Sequence, residues 1–289
     1  MAKWLLVGGC PRSGTTLLNL VLNSHPGISI TAEHNLEYLL RRIDELFVRE
    51  SRLPTVPVRE KSSRENWDHN TVYTATLRRR DNTAKILEYV YDLSFGNSNT
   101  ANEMVYGDKV PRFYDLDLDY LAQTLSDLTV IQVHRNPIDV ANSMLRRARN
   151  TRANKDYWRG PASIDDICAE WARAWNFSVV NSNRTDLPYH YVELKYEALI
   201  DNAESELANL ATAIGVEPRF DVSMISNATD DIRNSITQNE MSKVQERVRI
   251  SDSDWGERWD DLKKTVGAIP ESLKPDMLTR LSRRLGIRR

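Results

Sequence analysis

The sequence predicts a single α/β domain in which a mostly parallel central sheet is flanked by helices. Three observations carry that expectation. Short apolar runs of strand length alternate with segments whose apolar residues recur at helical spacing, the pattern of strands joined by crossover helices. The first run, residues 4–7 (W-L-L-V), passes through a turn-rich loop at 8–13 straight into an apolar helical segment. No composition break divides the 289 residues, a length that can bury a sizeable core.

Taken in order, Leu17, Leu18, Leu20, Val21 and Leu22 make the first helix apolar on most sides, so its expected place is buried against the sheet. His25-Pro26-Gly27 ends it. Residues 28–30 read as a second strand, and Thr31-Ala32-Glu33-His34-Asn35 as the loop at its carboxyl end. Ligands of open α/β sheets gather outside the carboxyl ends of strands, which sets Glu33 and His34 near the first loop. Leu36, Leu39, Leu40, Ile43, Leu46 and Phe47 then mark an amphipathic helix. Residues 51–70 are polar and hold Pro54 and Pro57; they read as a long surface loop, either a lid or a tolerated excursion.

A helix over 84–93 follows, then a strand at 103–106 leading into a loop, Gly107-Asp108-Lys109-Val110-Pro111-Arg112. Residues 128–133 (L-T-V-I-Q-V) are the clearest strand and end at His134-Arg135-Asn136-Pro137. Pro137 and Asp139 suit the first turn of a helix reaching about Arg149, on which Ser143 and Arg147 share a face. Ile167, Trp171, Trp175 and Val179 form a core stripe on a helix over 164–180. Residues 189–194 alternate as a final strand. Tyr196-Glu197 then opens one helix carrying Leu199, Ala203, Leu207, Leu210 and Ile214, with Gly215 as its stop. From about residue 216 the chain reads as a helical extension packed on the domain, broken at Gly267-Ala268-Ile269-Pro270. Its basic end, 280–289, reads as a solvated face and tail.

Composition excludes several classes. Lysine plus arginine number 39 against 41 acidic residues, so a net charge of −2 gives no global drive toward nucleic acid or membrane surfaces, and any anion binding is local. Cys10 and Cys168 are too few and too scattered for a disulfide framework or a cysteine zinc site. Cys10 reads as a small buried loop residue rather than a reactive thiol. The apolar run after Lys3 is too short for a secretory leader or a membrane span, which points to a cytoplasmic protein.

The first loop carries the chemistry. A strand, a tight turn and a helix N-terminus aim backbone N–H groups and the positive end of the helix dipole at one point, which suits a phosphate. Gly9 and Gly14 have the spacing of the P-loop G-x-x-x-x-G-K-[ST], but Thr15 stands where the lysine should be. Arg12 instead sets a planar, permanent cation in the loop. Where a Walker-type nucleotidase holds its metal with an acid at the end of a later strand, this chain offers Arg135. Both departures point from Mg-ATP toward an anion held without metal.

These motifs together resemble the PAPS-dependent sulfotransferases, in particular the branch of the tyrosylprotein sulfotransferases and their bacterial relatives. The resemblance rests on P-R-S-G-T-T-L-L at 11–18, T-A-E at 31–33, G-D-K-V-P at 107–111 and H-R-N-P-I-D-V-A-N-S-M at 134–144. It continues in K-Y-E-A-L at 195–199 and in G-A-I-P at 267–270, followed by Leu285-Gly286. It implies a P-loop-like fold and a co-substrate, 3′-phosphoadenosine 5′-phosphosulfate (PAPS), that leaves as 3′-phosphoadenosine 5′-phosphate (PAP), with no metal. Arg12, Ser13, Gly14, Thr15, Thr16 and Leu17 would cradle the 5′-phosphosulfate, Arg135 and Ser143 the 3′-phosphate, with Arg147 and Tyr196 as further contacts.

The resemblance further implies Glu33 as general base toward an acceptor hydroxyl, with His34 the competitor, and Lys109 and Arg12 as stabilisers of transferring and leaving charge. The sequence does not name the acceptor; the expected cytoplasmic location favours a small molecule, lipid or glycan, with peptide tyrosine as the alternative. Tyr157, Trp158, Trp171 and Trp175 are candidates to stack on a sugar, and Arg146, Arg149, Arg152 and Arg159 to attract an acidic acceptor; each is equally readable as core or surface. A P-loop nucleotide kinase, or a silent nucleotide-binding protein, is the rival from another class.

Overall fold

A computed structural model describes residues 2–51, 83–95, 104–125, 127–153, 160–226, 233–257 and 259–269. The first strand, β1 (Lys3–Gly9), lies at the middle of a five-stranded sheet. With β2 (Ile28–Ala32), β3 (Val105–Lys109), β4 (Leu128–His134) and β5 (His190–Lys195) it gives the order β2-β3-β1-β4-β5, every pairing parallel. The chain moves to one side of β1 for β2 and β3 and crosses to the other for β4 and β5. The carboxyl ends around β1 are therefore the crevice where such sheets bind ligands.

Alternation along β1 sorts the core. Leu5 and Val7 point to one face and Trp4 and Leu6 to the other, the period of two that a strand imposes. The first face is covered by α1 (Thr15–Asn23), α7 (Tyr196–Asp201), α8 (Ala203–Ile214) and the short α9 (Ser223–Ser226). The second is covered by α2 (Leu36–Ser51), α3 (Thr83–Phe95), a 3-10 turn at Phe113–Asp115 and α4 (Leu118–Thr124). A further cluster joins α5 (Pro137–Ala153) and α6 (Ile164–Ser182) to α10 (Gln238–Val248), α11 (Asp252–Glu257) and α12 (Trp259–Val266). Among the described residues no helix is long and apolar enough to cross a membrane.

Two local expectations change. Gly107, Asp108 and Lys109 are the end of β3 rather than a loop, because β3 bonds to β1 on one side and β2 on the other, and that pairing overrides the weak strand preference of Gly and Asp. Gly107 is required there: a Cβ would lie 2.0 Å from the Leu5 carbonyl oxygen. The helix expected after Tyr196 is two, α7 and α8, because Asn202 leaves helical geometry at φ −136, ψ 47 and opens the second. Helix α1 is buried against the sheet as expected, through Leu18, Val21 and Leu22, while Leu20 is 53% exposed. The 52–70 part of the expected surface loop, Tyr157, Trp158, Arg159 and the basic end at 280–289 lie outside the described residues.

Candidate functional site

Between β1 and α1 the chain makes two left-handed residues, Arg12 (φ 73) and Gly14 (φ 98). Gly14 is the N-cap of α1, no side chain caps the helix, and its first turn holds no acid. The leading N–H groups of Thr15, Thr16 and Leu17 are thus left to an outside acceptor, and the dipole favours an anion there. Leu17 has only its N–H to offer, because its side chain packs against the core. The Ser13 hydroxyl is buried without a hydrogen-bond partner. Gly14 has to be glycine: a Cβ would meet the Tyr196 ring at 2.2 Å, besides the positive φ.

That contact follows from strand register. β4 and β5 pair with His134 opposite Lys195, so the next residues, Arg135 and Tyr196, emerge side by side. The Arg135 guanidinium stacks over the Tyr196 ring at 4.4 Å, its Nη1 donates to the Arg12 carbonyl at 3.4 Å, and its Nε is buried without a partner. Arg12 in turn donates from Nε to Ser143 Oγ at 3.1 Å. Arg12, Gly14, Arg135, Ser143 and Tyr196 are therefore one connected group drawn from three separate stretches of chain. Arg147 stands one turn of α5 beyond Ser143, on the same face.

On the other side of β1, the ends of β2 and β3 pair with Ala32 opposite Lys109. Glu33, left-handed at φ 61, donates its N–H to the Lys109 carbonyl at 2.9 Å, and Lys109 Nζ meets Glu33 Oε1 at 2.7 Å. The pair is asymmetric: the lysine side chain is 6% exposed, the carboxylate 62%. A buried cation thus holds a carboxylate that still reaches solvent. The exposed His34 side chain makes no such contact; its backbone N–H goes to Asp108.

Several contacts of the site neighbourhood were not expected from the sequence. Glu197 accepts the Asn136 N–H at 2.9 Å, fixing the turn that carries Arg135; burial raises its carboxyl pKa, partly offset by that hydrogen bond. Trp171 Nε1 donates to the Arg135 carbonyl at 3.0 Å. Glu170 takes Arg112 Nε at 2.7 Å and the Tyr114 hydroxyl at 2.5 Å, and Arg173 reaches Asp115, an ionic cluster behind the first loop. The K-Y-E motif could have marked Glu197; no signal marked Glu170, whose partners Arg112 and Tyr114 lie far away in the sequence.

Two suggested sugar platforms are core instead. Trp171 and Trp175 stack on each other at 5.3 Å and 15°, and Trp175 donates to the Gly267 carbonyl, so neither ring face is available. Arg149 is committed to Glu240 and the Ser235 carbonyl. Of the other two arginines, the side chain of Arg152 lies outside the described residues, and nothing in the geometry sets Arg146 apart.

The chain belongs to the sulfotransferase family: the sequence model described as "Sulfotransferase family" matches residues 5–221. Among solved structures it is similar to the sulfotransferase domain from the Synechococcus PCC 7002 olefin synthase, at 19% identity and a TM-score of 0.46 over 100% of this chain and 96% of that one. It is similar also to the sulfotransferase domain from the curacin biosynthetic pathway, at 19% identity and 0.42 over 99% and 98%. Sulfotransferase STF9 from Mycobacterium avium gives 11% and 0.44 over 85% and 75%. No curated protein matches the sequence significantly.

Proposed function

We propose that this protein transfers a sulfuryl group from 3′-phosphoadenosine 5′-phosphosulfate to a hydroxyl of a small-molecule, lipid or glycan acceptor, with Glu33 as general base. The observation that carries the reading is the Glu33–Lys109 pair at the same sheet edge as the Arg12–Ser143 and Arg135–Tyr196 contacts. The residues fit such a donor: uncapped N–H groups on α1, and buried donors on Ser13 and Arg135 that lack a protein acceptor. Arg12 through Leu17 would hold the 5′ end; Arg135, Ser143 and Arg147 the 3′-phosphate; and Tyr196 the nucleotide. The bound donor supplies an activated sulfuryl group on its 5′-phosphate.

The chain supplies the rest. Glu33 takes the proton as the acceptor oxygen bonds to sulfur, while Lys109 and Arg12 face the charge that grows as the sulfur–oxygen bond to the 5′-phosphate breaks. No proton has to come from the arginine, whose charge is permanent. General-base assistance is worth about 10² to 10⁴ in rate, and loss of one preorganised charge stabiliser costs roughly 3 to 4 kcal/mol. The contact to Lys109 favours Glu33 over His34, whose side chain has no equivalent partner among the described residues to orient it.

Thermal stabilisation tests the nucleotide site. PAP without magnesium should raise the melting temperature, by an amount equivalent to about 2.7 kcal/mol at a hundredfold excess over Kd; stabilisation by Mg-ATP and not by PAP overturns the reading in favour of a kinase. Turnover is tested by the mass shift of one sulfate on a panel containing a phenol, a simple sugar, a long-chain alcohol and a tyrosine peptide. Glu33→Ala and Lys109→Ala should each lower turnover at least about a hundredfold while PAP still stabilises the protein. Transfer to no acceptor at all leaves a silent binding protein.

A further inference from the structure

The turn that carries Glu33 is a costly piece of backbone. Glu33 and Asn35 both have left-handed φ, 61 and 65, within three residues, and neither is glycine; each such residue costs on the order of 1 kcal/mol or more unless its surroundings impose it. What imposes it is Asp108, which is wholly buried. Its Oδ1 accepts from Thr31 Oγ1 at 2.9 Å and from the His34 N–H at 3.3 Å, and its Oδ2 accepts from the Leu36 N–H at 3.2 Å.

The carboxylate therefore grips the chain on both sides of Glu33, once in the strand before it and twice in the turn and helix after it. Register puts Thr31 directly opposite Asp108. The Thr31 hydroxyl has a single proton to give, and Asp108 Oδ1 at 2.9 Å is its nearest acceptor, ahead of the Gly107 carbonyl at 3.1 Å; the Tyr91 hydroxyl lies 3.1 Å from the same oxygen of Thr31. The next residue, Lys109, takes the Glu33 N–H on its carbonyl and the Glu33 carboxylate on its Nζ. Two consecutive residues of one strand end thus fix the backbone and the side chain of the same glutamate.

We infer that Asp108 is a positioning residue for the general base: through Thr31, His34 and Leu36 it holds the Glu33 turn in the conformation that presents the carboxylate beside Lys109. The inference rests on the reading of Glu33 as base. Asp108 acts through Glu33, so its removal matters only as far as Glu33 works.

The experiment measures sulfate transfer from PAPS to the acceptor chosen by the panel above, in Glu33→Ala, Asp108→Asn, the double variant, Thr31→Val and Thr31→Ser. Asparagine keeps the shape of Asp108 but sets an NH₂ where a carboxylate oxygen accepted an N–H. Asp108→Asn should lower kcat about tenfold or more, leave KM for PAPS and the stabilisation by PAP within about twofold, and cost little further in the Glu33→Ala background, since residues acting as one unit are non-additive.

Thr31→Val, of nearly the same volume, should repeat the effect in milder form, and Thr31→Ser should restore most of it; this pair carries the test if Asp108→Asn does not fold. Wild-type turnover in Glu33→Ala sinks the base assignment, and the positioning role with it. A collapse in Glu33→Ala alone, with Asp108→Asn and Thr31→Val fully active, overturns the positioning role only. So does a loss in Asp108→Asn that multiplies in full onto Glu33→Ala.

Discussion

At the scale of single residues, Cys10 shows how position and environment oppose each other. It lies in the loop between β1 and α1, ahead of a helix N-terminus, where a thiol pKa would fall. Burial instead raises it well above the usual thiol range, with the Glu170 carboxylate adding to the effect and Arg112 opposing it. Cys168 is likewise pushed up, to about 12, by burial and then by Asp165. A raised thiol pKa means the reactive thiolate is scarce until pH climbs toward that value. At pH 8 a thiol reagent should therefore label neither cysteine in the folded protein and both after denaturation; labelling of one thiol in native protein refutes this. The choice of a buried, inert Cys10 over a reactive one was readable from its small size within the loop. The Glu33–Lys109 contact was not, because it depends on which residues of two strands end side by side, and register is a property of the folded sheet.

At the scale of elements, the turn into α1 is held by a ring from a distant strand end. Gly14→Ala should be damaging twice over, through its φ of 98 and through the Tyr196 ring 2.2 Å from the new Cβ. A left-handed alanine costs about 1 to 2 kcal/mol, and displacing the ring also disturbs the stack with Arg135. The expected outcome is a lower melting temperature and loss of stabilisation by PAP, with Tyr196→Ala in the same chain recovering part of the stability but not the binding. Equal damage with and without Tyr196 shows that the ring plays no part. Most strands and helices here were legible in the sequence, since β1, β4 and α6 carry continuous apolar runs or stripes that need no partner to be recognised. The end of β3 was not: Gly-Asp-Lys reads as a turn and becomes strand only because β1 and β2 bond to it from both sides. The break at Asn202 was hidden for the converse reason, as apolar spacing continues unchanged across it.

At the scale of the whole molecule, the region after residue 232 is fastened to the turn that carries Arg135, not merely laid over the sheet. Arg233 donates to Asp139 at 2.6 Å near the start of α5 and to Asp252 at 2.5 Å at the start of α11. Asp252 also accepts from Asn136 Nδ2 at 2.8 Å, and Asn136 adjoins Arg135. Trp255, buried in the same cluster, packs edge-on to Trp171, whose indole N–H holds the Arg135 carbonyl. Replacing Arg233 with methionine keeps the packing stem but leaves Asp139 and Asp252 without their shared cation. Because the arginine side chain is 34% exposed, solvent screens part of the loss, and about 1 to 2 kcal/mol is expected rather than the 3 to 5 of a fully buried pair. If the fastening positions Arg135, Arg233→Met should also weaken PAP binding while leaving the dependence of turnover on Glu33 intact. Titration calorimetry with PAP separates the two effects. A variant that melts lower yet binds PAP with wild-type affinity shows that this region only stabilises the fold; weakened affinity at a temperature where the variant is fully folded shows that the nucleotide site is built partly from the far end of the chain.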